Sequence, residues 1–410
     1  MIDTLCEKFN IHASVREAAL KAQSRVRAFE YPAQAQAAAN VLAAFSAEGV
    51  SESDFATSLG YGYDDPSREH YESLLCRIFG AERALARLTF ASGTHAIVAS
   101  LAACVPPGKT LLAITGKPYD TLRNAIVTAE YSLCSTGVQY VEEDWLSASM
   151  PPGPSIPQDD MGAIFIQRSR GYAPRRSATI ADIDAMLQRA RELYPGVPVL
   201  VDNCYGELVE EREPTHVGAD LVMGSLIKNL GGTFAPAGGY VAGRADLIER
   251  IAVRLYAPGL RTALGPTLGY GRELLQGLFT APLIVEQTLR GLDFAAALFE
   301  ELGYGVDPLP GSKRTDIVQA IRLGDPDKLV RFARGLQQAM PVNARFSPEP
   351  GPVPGYVDPV IMSSGAFVNG ATIELSCDAP LRNPYEVYLQ GGVQLAHSAL
   401  GAMLAAQALL

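Results

Sequence analysis

The sequence has few cysteines and histidines, and they are scattered. Its six cysteines include no C-x-x-C pair, and its five histidines include no H-E-x-x-H motif. A disulfide framework or a zinc site needs closely spaced cysteines or histidines, which this sequence does not have. We therefore expect reduced thiols, a cytoplasmic protein and no metal. The first residues, Met-Ile-Asp-Thr-Leu-Cys-Glu-Lys, carry acids where a signal peptide has a basic region, which also favours a cytoplasmic location.

Long apolar runs and an excess of positive charge are also absent. No apolar run approaches the roughly 18 residues that a membrane span needs. The 34 lysines and arginines are outnumbered by 44 acids, which gives a net charge of −10. We therefore expect neither a membrane nor a nucleic acid as a partner. A small phosphorylated ligand is still compatible with this charge, because a few backbone N–H groups can hold a phosphate locally.

The chain of 410 residues is long enough for two or three domains. Apolar positions at helical spacing predict an N-terminal helical arm over residues 1–60. Short apolar segments alternate with helical segments over residues 61–285, which is typical of an α/β domain with a mostly parallel central sheet. Residues 286–410 mix strands, such as one predicted over Ala371–Ser376, with helices, and they predict a small α+β domain.

Residues that follow the predicted strands are the candidates for a site, because ligands bind beyond the carboxyl ends of parallel strands. Ser92, Gly93, Thr94 and His95 follow one strand and begin an apolar helix. The first N–H groups of a helix can hold a phosphate, although Ser-Gly-Thr is also an ordinary helix cap.

A lysine and a carboxylate follow two other strands. Asp202 ends an apolar strand, and Ser225 and Lys228 follow the next one, with 228 − 202 = 26 residues between carboxylate and lysine, the length of one crossover unit. Desolvation favours the neutral amine of Lys228, which attacks a carbonyl, although a lysine at a strand end can also reach out to water. A cofactor that needs an amine, an acid for its ring nitrogen and a phosphate site is pyridoxal phosphate.

Six segments carry a resemblance to a known family. They resemble fold-type I pyridoxal-phosphate enzymes of cysteine and methionine metabolism, and more closely the bacterial carbon–sulfur lyases described as aluminium-resistance proteins or as similar to cystathionine β-lyase and methionine γ-lyase. The resemblance runs from about residue 55 to residue 400. The segments are Tyr61-Gly-Tyr-Asp-Asp65, Ser92-Gly-Thr-His-Ala-Ile97, Thr115-Gly-Lys-Pro-Tyr-Asp-Thr121, Gln167-Arg-Ser-Arg-Gly-Tyr172, Val201-Asp-Asn-Cys-Tyr-Gly-Glu207 and Ile373-Glu-Leu-Ser376.

The resemblance implies a homodimer or homotetramer with its sites between subunits. It implies that Lys228 binds the cofactor covalently and that Asp202 lies beneath the pyridine nitrogen. The expected phosphate ligands are Ser92, Gly93, Thr94 and Ser225, with His95 beside them. In the wider group a tyrosine and an arginine of the neighbouring subunit also reach the phosphate, and Tyr61 or Tyr63 with Arg68 are the counterparts here.

The sequence departs from the well-studied lyases at two positions. Glu374 stands where those enzymes have an arginine that binds the substrate carboxylate. We expect Arg382 to take this role, with Arg168 and Arg170 next, because a guanidinium group binds a carboxylate in a bidentate manner. Thr115 stands where those enzymes have a tyrosine that stacks on the cofactor and assists proton transfer, and we expect Tyr119 or His95 in its place.

The resemblance implies cleavage of a sulfur-containing amino-acid substrate by β- or γ-elimination, with release of a thiol, ammonia and a 2-oxo acid. Residues that bind the cofactor do not dictate which bond breaks. An aminotransferase or aldolase on the same fold is therefore a second interpretation. A pyridoxal-phosphate-binding protein without catalytic activity is a third.

Overall fold

The computed structural model describes residues 1–148 and 150–410. These residues form two compact units: Met1–Gln34 together with Pro282–Leu410, and Ala35–Ala281. Residues 1–34 of the predicted arm thus group with the C-terminal part of the chain, and residues 35–60 group with the larger unit. The sequence-based domains 1–60, 61–285 and 286–410 stay a prediction.

The helices and strands follow one another along the whole chain. The helices are α1 (Ile2–Phe9), α2 (Ala13–Val26), α3 (Pro32–Glu48), α4 (Pro66–Phe79), α5 (Gly93–Cys104), α6 (Asp120–Arg123), α7 (Ile180–Leu193), α8 (Ala245–Leu255), α9 (Gly271–Glu301), α10 (Pro326–Gln337) and α11 (Leu395–Gln407). The strands are β1 (Arg83–Arg87), β2 (Thr110–Ala113), β3 (Gln139–Glu142), β4 (Met161–Gln167), β5 (Val199–Asp202), β6 (Leu221–Ser225), β7 (Gly239–Gly243), β8 (Gly305–Asp307), β9 (Val318–Arg322), β10 (Val360–Ser364), β11 (Ser376–Pro380) and β12 (Glu386–Gln390). Among the described residues, no helix has both the length and the apolar character of a membrane span.

The larger unit contains a seven-stranded sheet in the order β1-β7-β6-β5-β4-β2-β3. Only β7 runs antiparallel to its neighbours β1 and β6, so the predicted mostly parallel sheet is confirmed. Parallel pairing brings the carboxyl ends of β2, β4, β5 and β6 to one edge. Gln167 at the end of β4 pairs with Asp202 at the end of β5, so both side chains start from this edge.

Apolar side chains on the central strands form the core of the larger unit. Leu111, Phe165, Leu200 and Met223 are fully buried, and α5 and α8 pack onto this side of the sheet. Strands that are covered on both faces read as continuous apolar runs, as they do here. Each such side chain contributes roughly 1.5–3 kcal/mol when it is buried. A rigid sheet therefore fixes the residues that follow its strands.

The smaller unit contains an antiparallel sheet in the order β10-β11-β12-β9-β8. The strand predicted over Ala371–Ser376 is wrong, because residues Thr372–Glu374 form a 3₁₀ turn and β11 starts at Ser376. The buried carboxylate of Glu374 accepts the backbone N–H groups of Phe367 at 2.9 Å and Val368 at 3.3 Å. These bonds within the smaller unit favour the turn over an extended strand, and an alternating sequence pattern does not reveal them.

Candidate active site

The loop between β1 and α5 provides an anion-binding geometry. The hydroxyl of Ser92 accepts the N–H of His95 at 3.1 Å and caps α5. The N–H groups of Gly93 and Thr94 belong to the first turn, where a helix has no acceptor of its own and carries a partial positive charge. This end of α5 can therefore hold a phosphate group.

Gly93 brings this loop into contact with the end of β6. A Cβ atom on Gly93 would lie 3.0 Å from the Cβ of Ser225 and 3.2 Å from its backbone nitrogen. Such a contact is tighter than usual, so glycine suits the close approach of the two segments. The structure thus joins the four residues that were predicted to bind phosphate, Ser92, Gly93, Thr94 and Ser225.

Tyr119 connects the anion loop to the sheet edge. Its hydroxyl lies 2.8 Å from the hydroxyl of Thr94, and its backbone N–H donates to the side-chain oxygen of Gln167 at 2.8 Å. Burial, with a smaller effect of the charge on Asp202, raises the pKa of Tyr119 above its ordinary value. The phenol therefore keeps its proton at neutral pH and can act as a donor.

Asp202 lies at the end of β5 and is only 3% exposed. Its Oδ1 accepts the N–H of Cys204 at 3.1 Å. Burial raises the pKa of Asp202, although this hydrogen bond and the charge of Lys228 act in the opposite direction. A buried carboxyl group of this kind suits a protonated ring nitrogen, because that partner compensates the cost of burying the charge.

Lys228 extends its Nζ atom to 4.0 Å from the centroid of the Tyr205 ring. Burial alone lowers the pKa of a lysine, but here the nearby acidic groups outweigh burial and raise the pKa of Lys228 well above its ordinary value. In order of effect, those groups are Cys204, Tyr205, Tyr119 and Asp202. Tyr119 and Cys204 keep their own protons around neutral pH, so they favour the ammonium form of Lys228 only where they ionise. The expectation that desolvation favours the neutral amine stays a prediction.

His95 and Thr115 are used within the protein. The Nδ1 of the exposed His95 accepts the N–H of Ala91 at 3.1 Å, and its ring meets Phe90 edge to face. Thr115 accepts the N–H of Gln167 at 2.9 Å. Tyr119 and His95 were the two residues expected to replace the stacking tyrosine of the well-studied lyases. Of these, Tyr119 has the more suitable contacts. A cofactor-binding role of His95 stays a prediction.

Tyr61, Tyr63 and Arg68 lie near the start of α4. The tyrosine rings are 5.7 Å apart and expose 71% and 56% of their surface. Arg68 is instead buried, and its guanidinium donates to the carbonyl oxygens of Gly62, Ala263 and Gly265. These bonds give Arg68 a clear structural role in the loop. The proposed contact of the three residues with a neighbouring subunit's phosphate stays a prediction.

The three arginines expected at the substrate carboxylate have different surroundings. Arg168 is fully buried and donates to the Asn203 side chain at 2.7 Å and the Gly206 carbonyl at 2.9 Å, with Glu210 and Glu213 as ionic partners. Arg170 is 4% exposed and donates through Nε to the Arg175 carbonyl at 2.7 Å.

Such contacts favour structural roles for Arg168 and Arg170. Arg382 belongs to the smaller unit, where it lies in the turn between β11 and β12 with its Nη1 at 3.8 Å from Asp358. All three substrate-binding roles stay predictions.

Sequence reasoning gave no particular role to two residues that contribute to the site. Tyr205 provides the ring beside Lys228, and Gln167 holds the backbone of Tyr119. Both follow or end strands of the parallel sheet, so their positions in the sequence were a usable signal. Only the folded chain shows which way their side chains point.

The residues present fit pyridoxal phosphate. The larger unit holds an amine, a buried carboxyl group and a helix N-terminus that packs closely on Ser225, all beyond strands of one mostly parallel sheet. This combination defines a fold-type I pyridoxal-phosphate protein.

The chain belongs to the methionine gamma-lyase family, whose sequence model matches residues 11–410. It is 42% identical over 371 residues to the uncharacterized protein YnbB of Bacillus subtilis. The matched region covers 87% of this chain and 86% of YnbB. A carbon–sulfur lyase involved in aluminum resistance from Clostridium novyi NT has a similar structure, with a TM-score of 0.91, 37% identity and coverage of 100% of this chain and 99% of that one.

More distant structures share the fold. The pyridoxal-5'-phosphate-dependent protein YhfS of Escherichia coli superimposes with a TM-score of 0.59 at 20% identity, over 90% of this chain and 94% of YhfS. Membership of the methionine gamma-lyase family gives pyridoxal phosphate as the cofactor of this protein. This agrees with the cofactor that the residues of the site predict.

Proposed function

We propose that the protein is a carbon–sulfur lyase that acts on a sulfur-containing amino acid and holds pyridoxal phosphate on Lys228. The proposal depends on one observation: Lys228 and Asp202 lie close together, and the loop that contains Gly93 packs against Ser225. Family membership supports the reaction class, since an L-methionine gamma-lyase of Brevibacterium aurantiacum is 29% identical over 254 residues, 61% of this chain and 56% of that protein.

Each residue of the proposed site has a distinct task. Asp202 keeps the ring nitrogen protonated, and the cofactor then supplies an electron sink for negative charge at the substrate α carbon. Ser92, Gly93, Thr94 and Ser225 hold the phosphate, and the Tyr119 hydroxyl supports Thr94 at 2.8 Å.

Lys228 also moves the proton. With the cofactor in place, the free Nζ of Lys228 would take the proton from the substrate α carbon as general base. A proton then goes to the departing sulfur. The overall reaction consumes one water molecule and yields a thiol, ammonia and a 2-oxo acid. We include Arg382 as the residue that binds the substrate carboxylate, and a homodimer or homotetramer that brings Tyr61, Tyr63 and Arg68 to a neighbouring site.

Covalent trapping tests the attachment point. Protein incubated with pyridoxal phosphate is reduced with borohydride, digested and analysed by mass spectrometry. We expect the pyridoxyl group on Lys228, its loss in K228A and its retention in K21A, which changes an exposed lysine of α2. A pyridoxyl group at another position in the wild type would contradict the assignment.

A substrate panel tests the reaction. Cystathionine, cysteine and methionine are each supplied to the loaded protein, and thiol, ammonia and 2-oxo acid are measured together. Equal amounts of all three products support the lyase. A 2-oxo acid without thiol or ammonia indicates an aminotransferase, and a loaded protein that leaves every amino acid unchanged indicates a binding protein.

A further inference from the structure

Glu207 is a fully buried carboxyl group in the loop that follows Asp202. Its Oε1 accepts the hydroxyl of Tyr240 in β7 at 2.8 Å. Its backbone oxygen accepts the side-chain N–H of Asn229, the residue after Lys228, at 2.9 Å. Glu207 therefore connects the loop after Asp202 to the turn that carries Lys228 and to strand β7.

The carboxyl group packs directly on the backbone of β6. A Cβ atom on Gly224 would lie 2.6 Å from Oε1 of Glu207 and 2.7 Å from Cε1 of Tyr240. Tyr240 is itself held by Phe79 of α4, whose ring is stacked at 5.5 Å. The carboxyl group thus has a fixed place against the strand that leads to Lys228. Its second oxygen, Oε2, is buried with no hydrogen-bond partner among the described residues.

Few opposite charges balance this carboxyl group. Burial, with a contribution from Glu213, raises the pKa of Glu207 to about 8, while the Tyr240 hydroxyl and the charge of Lys228 act against the rise. Around neutral pH the group therefore keeps its proton, and it loses the proton in mildly alkaline solution. The titratable groups that face it are Tyr71, Cys204, Glu213, Lys228 and Tyr240.

We propose that Glu207 is a positioning residue that acts as a neutral carboxylic acid behind the Lys228 turn, and that loss of its proton further favours the ammonium form of Lys228. The inference rests on the proposed function, in which Lys228 reacts with pyridoxal phosphate. An ionised Glu207 adds a negative charge near the lysine, and a nearby opposite charge favours the charged amine. Only the neutral amine attacks the aldehyde carbon, so an ionised Glu207 slows loading.

The rate of cofactor loading tests this effect. Protein without cofactor is mixed with pyridoxal phosphate at a series of pH values, and the visible absorbance of the lysine-bound cofactor is followed in wild type, E207Q and E211Q. Glutamine imitates the neutral acid. We expect a rate ratio of E207Q to wild type of about one at one pH unit below the pKa of Glu207, rising to about threefold or more at one unit above it. E211Q changes an exposed acid of the same loop and should follow the wild type throughout.

A second readout needs no cofactor. Infrared difference spectra of the unloaded protein should show the carbonyl band of a protonated carboxylic acid that disappears as the pH rises through about 8. The band should be absent in E207Q and present in E211Q. The band could titrate as expected while borohydride trapping finds the pyridoxyl group on a residue other than Lys228. In that case the proposed function fails, but the role of Glu207 as a protonated acid stands.

A loading ratio that does not change with pH, or the absence of a titrating band, overturns the proposal. If E207Q does not fold, Y240F replaces it, because phenylalanine keeps the ring and removes the donor that stabilises the ionised carboxylate. Both the band and the loading profile should then shift to higher pH. Profiles that stay unchanged in Y240F overturn the proposal in the same way.

Discussion

The Nζ atom of Lys228 lies 4.0 Å from the centroid of the Tyr205 ring, and Tyr205 adopts a positive φ of 72°. A bulky residue seldom adopts this left-handed conformation, and holding it costs on the order of 1–3 kcal/mol. The ring that it brings over the lysine stabilises the ammonium form by about 0.5–2 kcal/mol. The left-handed backbone at Tyr205 therefore accompanies an aromatic ring placed beside the lysine.

Replacing this ring should make Lys228 more reactive before the cofactor binds. In Y205L the ammonium form loses its aromatic partner, so we expect its pKa to fall by about one unit, since one unit corresponds to about 1.4 kcal/mol. The pH dependence of selective labelling at Lys228 in unloaded protein measures this shift. Y205F keeps the ring and should shift less. Identical profiles for wild type and Y205L would show that the ring does not stabilise the charge.

The hydroxyl pair of Thr94 and Tyr119 should contribute to cofactor affinity as a unit. Their oxygens are 2.8 Å apart, and a hydrogen bond of this type contributes about 0.5–1.5 kcal/mol. We expect T94V and Y119F each to raise the Kd for pyridoxal phosphate severalfold. The double variant should lose less binding free energy than the two single variants together, because either substitution already removes the hydrogen bond between the two hydroxyls. Strictly additive losses in equilibrium titrations would contradict this coupling.

Asp65 should make the larger unit sensitive to acid. Its carboxylate caps α4 by accepting the N–H of Arg68 at 3.0 Å, and it accepts the N–H and hydroxyl of Thr267 at 2.7 and 2.8 Å. Burial acts to raise the pKa of Asp65, but these hydrogen bonds together outweigh it and lower the pKa. A lowered carboxyl pKa stabilises the folded state above the ordinary pKa, and this contribution is lost as the pH falls through the folded value.

The variant D65N tests that contribution. It should cost about 1–2 kcal/mol at neutral pH and less in acid, where the wild-type carboxyl group is itself protonated. Denaturant unfolding at both pH values measures the difference. The neighbouring exposed acid provides a matched control, and D64N should change little. Equal destabilisation by D65N at neutral and acid pH would argue against a role of the charge.

The sequence by itself predicts most of the candidate site because the signals it uses are local. Apolar runs of strand length, each followed by polar residues, predict the parallel sheet and the edge at which Ser92, Asp202, Ser225 and Lys228 lie. The N-cap pattern at Ser92 likewise depends on neighbours within one turn of helix. The parallel pairing of β4, β5 and β6 in the structure confirms that these segments belong to one mostly parallel sheet.

The tertiary structure decided what these residues contact and how they are charged. Acidic groups on two segments that are distant in the sequence, Tyr119 and residues 202–205, raise the pKa of Lys228. Arg168 is drawn into a network with Glu210 and Glu213, and Glu374 closes a turn where a strand was predicted. A side chain's partners depend on distant segments that meet only on folding, and charge interactions depend on those distances. The sequence therefore identifies the residues that carry the chemistry, whereas only the fold determines their protonation and their partners.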